Sequence, residues 1–279
     1  MAIVAVASGT GGIGRAIVEA IVRRGKHNVK ILSRKANDSL ADEIGAPIIP
    51  VDYSAVGSLT QVLEDNEIDT VISSIFTMPV SGIAPEVTLI RASQPSRTTH
   101  RFIPSNWGVP LDKSREDLAP SIPMKLLALD ELKKTDLEYT VFYVGFLLDY
   151  YAGPSIKSYV SPLIVVIDME CNMAAIPGSG NMPIAFTHSL DVGKYVDASL
   201  DLKKWDASYR IIGDKATWNE FVKLAETMKE SQSVFLSTFG LLFEDGTFDL
   251  EEKGALNNLF PEIGALKIKR AVQAAMNRV

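Results

Sequence analysis

The stretch IVAVASGTGGIG, residues 3–14, decides how the chain is read. Ile3 to Ala7 is a short, wholly apolar run of the kind that forms a buried strand. Gly9-Thr10-Gly11-Gly12-Ile13-Gly14 follows at once and has the pattern G-x-G-x-x-G. After it, Ile13, Ala16, Ile17, Ala20 and Ile21 keep helical spacing, and Gly25 ends the helix. The pattern is weak alone, but a strand before it and a helix after it give it meaning. Glycines let the backbone turn tightly and approach a pyrophosphate, while the helix N-terminus supplies free amides and a positive dipole end. The stretch therefore predicts a dinucleotide site built from Gly9, Thr10, Gly11, Gly12, Ile13 and Gly14.

The next strand, Val29 to Leu32, should end near the adenosine ribose. About 20 residues past Gly14, where an NAD-selective site places an acid, the chain carries Arg34 and then Lys35. Cations there suit a ribose 2′-phosphate, for which arginine offers a planar fork of donors. NADP(H) is the expected cofactor.

Further strands are predicted at Pro47–Val51, Asp69–Ile75, Phe102–Pro104 and Tyr139–Val144. Helices are predicted around Leu59–Leu63, Val87–Ala92 and Ser121–Lys134. This alternation predicts an α/β fold, a doubly wound parallel sheet with helices on both faces. Asp52, Tyr53, Ser73 and Ser74 close the third and fourth strands, and such ends line the ligand crevice. After Tyr151 prolines at 154, 162, 177 and 183 break the rhythm. Tyr209–Gly213 reads as one more strand, returning to the first domain, and Thr217–Met228 as a helix. Residues 267–278 read as a partly basic helix with a solvated face. The division expected is 1–150 for the cofactor and 151–279 for the substrate.

Composition narrows the class. The 279 residues are 47% hydrophobic and 22% charged, ordinary values for a globular protein. A net charge of −6 recommends neither nucleic acid nor an anionic membrane surface as partner. Cys171 is the single cysteine, so no internal disulfide and no cysteine metal cluster can form. The start lacks a basic n-region, and the apolar run Tyr139–Leu148 is far short of the roughly 20 residues that span a bilayer. A soluble, cytoplasmic protein is expected. Asp168 and Glu170 alternate as on a strand, but without further ligands nearby no metal site is expected.

The predicted helix from Ser121 holds an anomaly. Met124, Ala128, Leu129 and Leu132 share one helical arc, and Lys125 falls inside it, whereas Lys133 and Lys134 lie toward the polar side with Asp130. An inward lysine needs a partner, a ligand or a shifted pKa. Geometry alone leaves open a working group, a side chain that snorkels to solvent, or a mate for a buried carboxylate.

Gly9 to Gly14, Arg34, the run Arg101-Phe102-Ile103-Pro104-Ser105 and Lys125 together resemble the NmrA-like and isoflavone-reductase-like proteins, atypical short-chain dehydrogenases. Phe186-Thr187-His188, Asp191-Val192 and Thr217-Trp218-Asn219-Glu220 are similar to fungal members in particular. The resemblance covers nearly the whole chain. It implies an N-terminal Rossmann domain for NADP(H) and a smaller C-terminal α/β substrate domain. It implies reduction of a small apolar or aromatic metabolite: a quinone, an enone or a phenolic natural product. In that family a lysine corresponding to Lys125 binds the nicotinamide ribose and takes part in proton transfer. Pro104, Ser105, Asn106, Tyr143, Gly145 and Phe146 would then frame the nicotinamide.

The sequence departs from the family in places. Asn106-Trp107-Gly108 stands where Glu-Phe-Gly is common, Ser8 stands where many relatives have glycine, and the chain looks shorter after Met228. The Tyr-x-x-x-Lys pair is absent: Ser121 lies four residues before Lys125 and is expected to cap the helix. His188 is a second candidate proton donor, against a loop histidine held by backbone. Trp107, Phe146, Tyr150 and Tyr151 are candidates for an aromatic substrate pocket. Two other functions stay open, a nucleotide-sensing regulator with a protein partner and a non-redox isomerase or cyclase.

Overall fold

The computed structural model describes residues 1–76, 78, 82–153, 155–227 and 269. The chain divides into two compact units, Met1–Lys223 and Leu224–Val279. Of the second, residues 224–227 and 269 are described. The basic helix expected at 267–278 lies outside the described residues apart from position 269, as does the short stretch after Met228.

Six parallel strands form the central sheet: β1 (Ile3–Ala7), β2 (Asn28–Ser33), β3 (Ile48–Pro50), β4 (Thr70–Ser73), β5 (Arg101–Ile103) and β6 (Glu138–Tyr139). Their order is β3-β2-β1-β4-β5-β6. Helices α1 (Gly12–Arg24), α2 (Asp38–Ile44), α3 (Val56–Asp65), α4 (Pro85–Ser93) and α5 (Ser121–Leu132) make the crossovers. The strand order reverses between β1 and β4, where a doubly wound sheet opens its ligand crevice.

Side-chain alternation along β1 splits the core into two layers. Val4 and Val6 pack with Ile17, Ile21, Ile31 and Ile72 on the α1 face. Ala5 and Ala7 pack with Leu59, Leu63, Leu89, Phe102 and Leu132 on the other.

The expected sixth strand, Tyr139–Val144, divides at Thr140. The Thr140 amide still donates to Phe102 O on β5, at 3.3 Å, but the Val141 amide donates to Ala207 O at 3.2 Å. From there β7 (Val141–Tyr143) pairs in parallel with β12 (Ser208–Arg210), which overlaps the start of the strand expected at Tyr209–Gly213; residues 211–213 lie outside it. A helix without a predicted counterpart, α6 (Ser189–Ser199), lies against α1. Gly193 permits this contact, since a Cβ there would sit 2.4 Å from Ala16 O. Arg24, Lys26 and His27 tie the end of α1 to Asp201, and Arg24 also reaches Asp197.

Between Gly145 and Lys223 the remaining strands are short. β8 (Phe146–Leu147) runs parallel to β11 (Ile184–Thr187), which pairs antiparallel with β13 (Asp214–Ala216). β9 (Ile167–Asp168) and β10 (Met173–Ala174) form a two-stranded antiparallel ladder. Phe146, Tyr151, Phe186, Trp218 and Phe221 stack into one aromatic cluster beside them. Residues 218–227 are helical. Among the described residues no helix is long and apolar enough to cross a membrane.

Candidate active site

A cavity of about 530 Å³ opens over the β1/β4 crevice. Gly11, Gly12, Ile13, Ser74, Ser105, Trp107, Ser121, Lys125, Leu147 and Tyr150 line it, with residues 159–163 across it. The structure thus brings the glycine turn and the inward lysine onto the walls of one space.

Each glycine of the turn has a separate geometry. Gly9 is packed inside it: a Cβ would meet Val18 Cγ2 at 3.0 Å and Val6 O at 3.1 Å. At Gly14 a Cβ would lie 2.1 Å from Ser74 Oγ and 2.6 Å from Ser8 O, so this glycine lets α1 approach β4. Gly11 faces open space, with nothing within 4 Å of an added Cβ. Gly12 has φ +55°, which suits glycine. Ser8 holds φ +60° without being glycine. The Gly12 amide donates to Tyr159 O at 3.0 Å. An extended Gly11, a left-handed Gly12 and the first turn of α1 form a cradle that fits a pyrophosphate.

Tyr159 is anchored on α1. Its hydroxyl donates to Glu19 at 2.6 Å, Lys157 reaches the same carboxylate at 2.9 Å, and Arg15 lies 5.0 Å from the ring centre. Asp149 fixes the start of this segment by accepting from the Ser158 hydroxyl at 2.5 Å. It also accepts from the Ser189 amide at 2.8 Å and hydroxyl at 2.6 Å. The segment 159–163 is a part of the cavity wall that no motif announces.

Arg34 and Lys35 are exposed just beyond the end of β2. They stand outside the cavity lining, on the β2 side of the glycine turn, where an adenosine ribose would reach. Asp52 forms a turn with Ser54, accepting its amide at 2.9 Å and its hydroxyl at 2.7 Å. Tyr53 donates to Leu32 O at 3.0 Å, and burial pushes its phenol up. Ser74 lines the cavity and donates to Ala7 O at 2.8 Å.

At the other end, the indole of Trp107 donates to Ser73 O at 3.0 Å and stacks on Phe142. Ser105 lines the cavity, whereas Pro104 and Asn106 lie outside its lining. Asn106 is buried, with both polar side-chain atoms unpartnered. Lys125 is half-buried. Burial draws its pKa down, and the charge of Glu86 acts in the opposite sense. Tyr150 shares the wall, but burial and then the Asp149 charge push its phenol up, away from acid work at neutral pH.

Six further candidates are placed as follows. His188 lies outside the cavity lining and caps α6, its Nδ1 accepting from the Leu190 amide at 3.3 Å. Phe146 and Tyr151 belong to the aromatic cluster rather than the cavity wall. Tyr143 and Gly145 lie outside the lining as well: the Gly145 amide donates to Gly108 O at 3.0 Å, and a Cβ on Gly145 would lie 2.2 Å from Ala185 O. Ser121 is the first residue of α5, with Pro120 at the cap position, and it lines the cavity.

Comparison with known proteins agrees with this geometry. A family model described as NAD(P)H-binding matches residues 9–160. The chain is 33% identical to "Oxidoreductase BOA1" of Botryotinia fuckeliana, over 93% of this chain and 95% of that protein. It is 28% identical to the phenylcoumaran benzylic ether reductase TP7 of Nicotiana tabacum, over 71% and 64%. Among solved structures, AtPrR2 with NADP+ and (+)pinoresinol superposes with a TM-score of 0.64 at 22% identity, covering 82% of this chain and 76% of that one. At that identity the likeness concerns the fold. The chain belongs to an NAD(P)H-binding family of oxidoreductases, with an isoflavone reductase-like protein among the proteins it is similar to.

Proposed function

We propose that the protein is an NADP(H)-dependent reductase of a small apolar or aromatic metabolite, such as a quinone, an enone or a phenolic natural product. The observation that carries this is the placement of Lys125 on the wall of the same cavity as Gly11, Gly12 and Ser74. When bound, the nicotinamide supplies a hydride. The chain's own residues do the rest. Gly11, Gly12 and the start of α1 hold the pyrophosphate, and Arg34 with Lys35 answers the 2′-phosphate. Trp107, Leu147, Tyr150 and residues 160–163 exclude water and offer an apolar surface to the substrate. Lys125 stabilises negative charge developing on the substrate oxygen and gives its Nζ proton to that oxygen. Burial favours this, because a lowered ammonium pKa makes a better acid near neutral pH.

The two parts of the chain divide this work. Residues up to about 144, with α6 and β12, carry the cofactor, and the short strands after Gly145 shape the substrate side.

The test is NADPH depletion over a panel of quinones, enones and phenolic compounds, with wild type and Lys125→Met side by side. Lys125→Met is expected to bind NADPH within about threefold of wild type and to lose turnover by at least about 100-fold. Turnover at the wild-type rate overturns the role of Lys125.

A further inference from the structure

One backbone donor in the cavity is asked to serve twice. The Gly12 amide belongs to the cradle assigned above to the pyrophosphate, and Tyr159 O accepts it at 3.0 Å. Gly11 and Gly12 line the same cavity as Tyr159 and residues 160–163. A single N–H makes one good bond at a time, so a phosphate oxygen and this carbonyl stand in each other's way.

Tyr159 is fitted along α1. Its carbonyl meets Gly12, and its ring centre lies 5.0 Å from the Arg15 guanidinium about one turn on. Its hydroxyl donates to Glu19, about a turn further, at 2.6 Å. Arg15 keeps a second partner in Glu43, at 3.1 Å. The carbonyl oxygen and the negative face of the ring thus occupy a donor and a cation at the positive end of the helix, where an anion is drawn.

Polar bonds hold this segment, and burial does not. No residue described from 155 to 166 is buried, and Ile156, Leu163 and Ile164 are each more than half exposed. Lys157 reaches Glu19 at 2.9 Å, and the Ser158 hydroxyl donates to Asp149 at 2.5 Å. At the far end the chain enters β9 through Val166, a β-branched residue at φ +62°. That backbone is strained, and strain at the base of a segment lowers the cost of any movement that relaxes it. Few apolar contacts, a handful of polar ties and a strained end make a segment that opens far more readily than the sheet core.

We propose that residues 155–166 are a two-position strap over the nucleotide site, with Tyr159 as its latch. In the closed position Tyr159 O holds the Gly12 amide and the phenol holds Glu19. In the open position the carbonyl has left, and the amide is free for a phosphate oxygen of NAD(P)H. Nucleotide binds the open position, so its apparent affinity is the intrinsic affinity multiplied by the fraction open. The inference rests on the seat given above to the pyrophosphate.

The test is the NADPH affinity of wild type and Tyr159→Phe, measured by fluorescence titration. Phenylalanine keeps the backbone carbonyl and the ring over Arg15 and removes only the bond to Glu19. A hydroxyl–carboxylate bond favours the closed position, so Tyr159→Phe is expected to bind NADPH about three- to tenfold more tightly. Unchanged binding overturns the proposal. Weaker binding overturns it too, because it marks a phenol that holds the nucleotide itself.

Failure of the strap and failure of the seat can be told apart with Gly11→Ala, whose methyl group would stand in the cradle. Weakened NADPH binding in Gly11→Ala beside unchanged binding in Tyr159→Phe removes the strap alone. Wild-type binding in both removes the seat, and the strap with it.

Should Tyr159→Phe not fold, hydrogen exchange of the wild type with and without NADPH decides. Peptides covering 157–163 are expected to exchange at least about threefold faster with NADPH bound, while those covering 9–14 stay protected. Equal or slower exchange at 157–163 overturns the proposal.

Discussion

Gly11 and Gly14 belong to one motif, but the structure assigns them opposite sensitivities. At Gly14 an alanine Cβ would lie 2.1 Å from Ser74 Oγ and 2.6 Å from Ser8 O. The serine hydroxyl could rotate only by giving up its 2.8 Å bond to Ala7 O, and the Ser8 carbonyl is backbone. Overpacking of this kind costs about 1–3 kcal/mol. Gly11 has φ −155° and ψ 175°, extended backbone open to any residue, and no atom lies within 4 Å of its added Cβ. Gly11→Ala is therefore expected to change stability by less than about 0.5 kcal/mol. Its methyl group would project where the pyrophosphate must approach, weakening NADPH binding by about tenfold or more. The assay is a pair of measurements on each variant, thermal melting without nucleotide and NADPH affinity by fluorescence titration. Gly14→Ala should melt about 2–12 °C lower. Gly11→Ala should melt with wild type and bind NADPH poorly. If Gly11→Ala bound NADPH with wild-type affinity, the cradle assigned to the pyrophosphate would be wrong.

Arg34→Ala is expected to weaken NADPH binding by about tenfold while leaving NADH within about twofold, since only the former carries the 2′-phosphate. Equal loss for both nucleotides, measured by titration, would refute the assignment. A pH prediction comes from Glu64, whose carboxyl the Arg97 side chain and amide hold down to about 2. A depressed folded pKa stabilises above the ordinary carboxylate value and loses that contribution as pH falls through it. The melting gap between wild type and Arg97→Ala should therefore be present at neutral pH and close between about pH 4.5 and about pH 2. It should be small and should shrink in salt, because Arg97 is 85% exposed at its side chain.

The parts of the fold legible in the sequence are those dominated by local signals. β1, the glycine turn and α1 follow from an apolar run, a required backbone geometry and a 3.6-residue period. Lys125 was conspicuous because one period put it among Met124, Ala128 and Leu132. The division at Thr140 was not legible, because Tyr139–Val144 is one continuous β-rich run, and only the positions of β5 and β12 part it. Nor was α2, although Asn37 caps it by accepting the Leu40 amide at 3.0 Å. His188 drew attention as a titratable group, but the same imidazole nitrogen that suits catalysis also suits a cap. Glu86 looked like any acid in a first turn; its burial comes from β4 and β5, far away in sequence. Tyr159 lies in a proline-punctuated stretch with no period, and its part in the site depends on where α1 presents Glu19 and Arg15.

The Gly12–Tyr159 contact gives the protein an internal competitor for its own nucleotide. The Gly12 amide, assigned above to the pyrophosphate, is already satisfied by a backbone carbonyl, and the next four residues line the same cavity. A nucleotide that claims the amide must share it with that carbonyl or displace it, so its arrival and any rearrangement of those residues are one exchange. Apparent affinity then reports the strength of Tyr159's moorings to Glu19 as much as the quality of the cradle. If the pyrophosphate takes the Gly12 amide, the backbone carbonyl that now holds it would be the first group to yield.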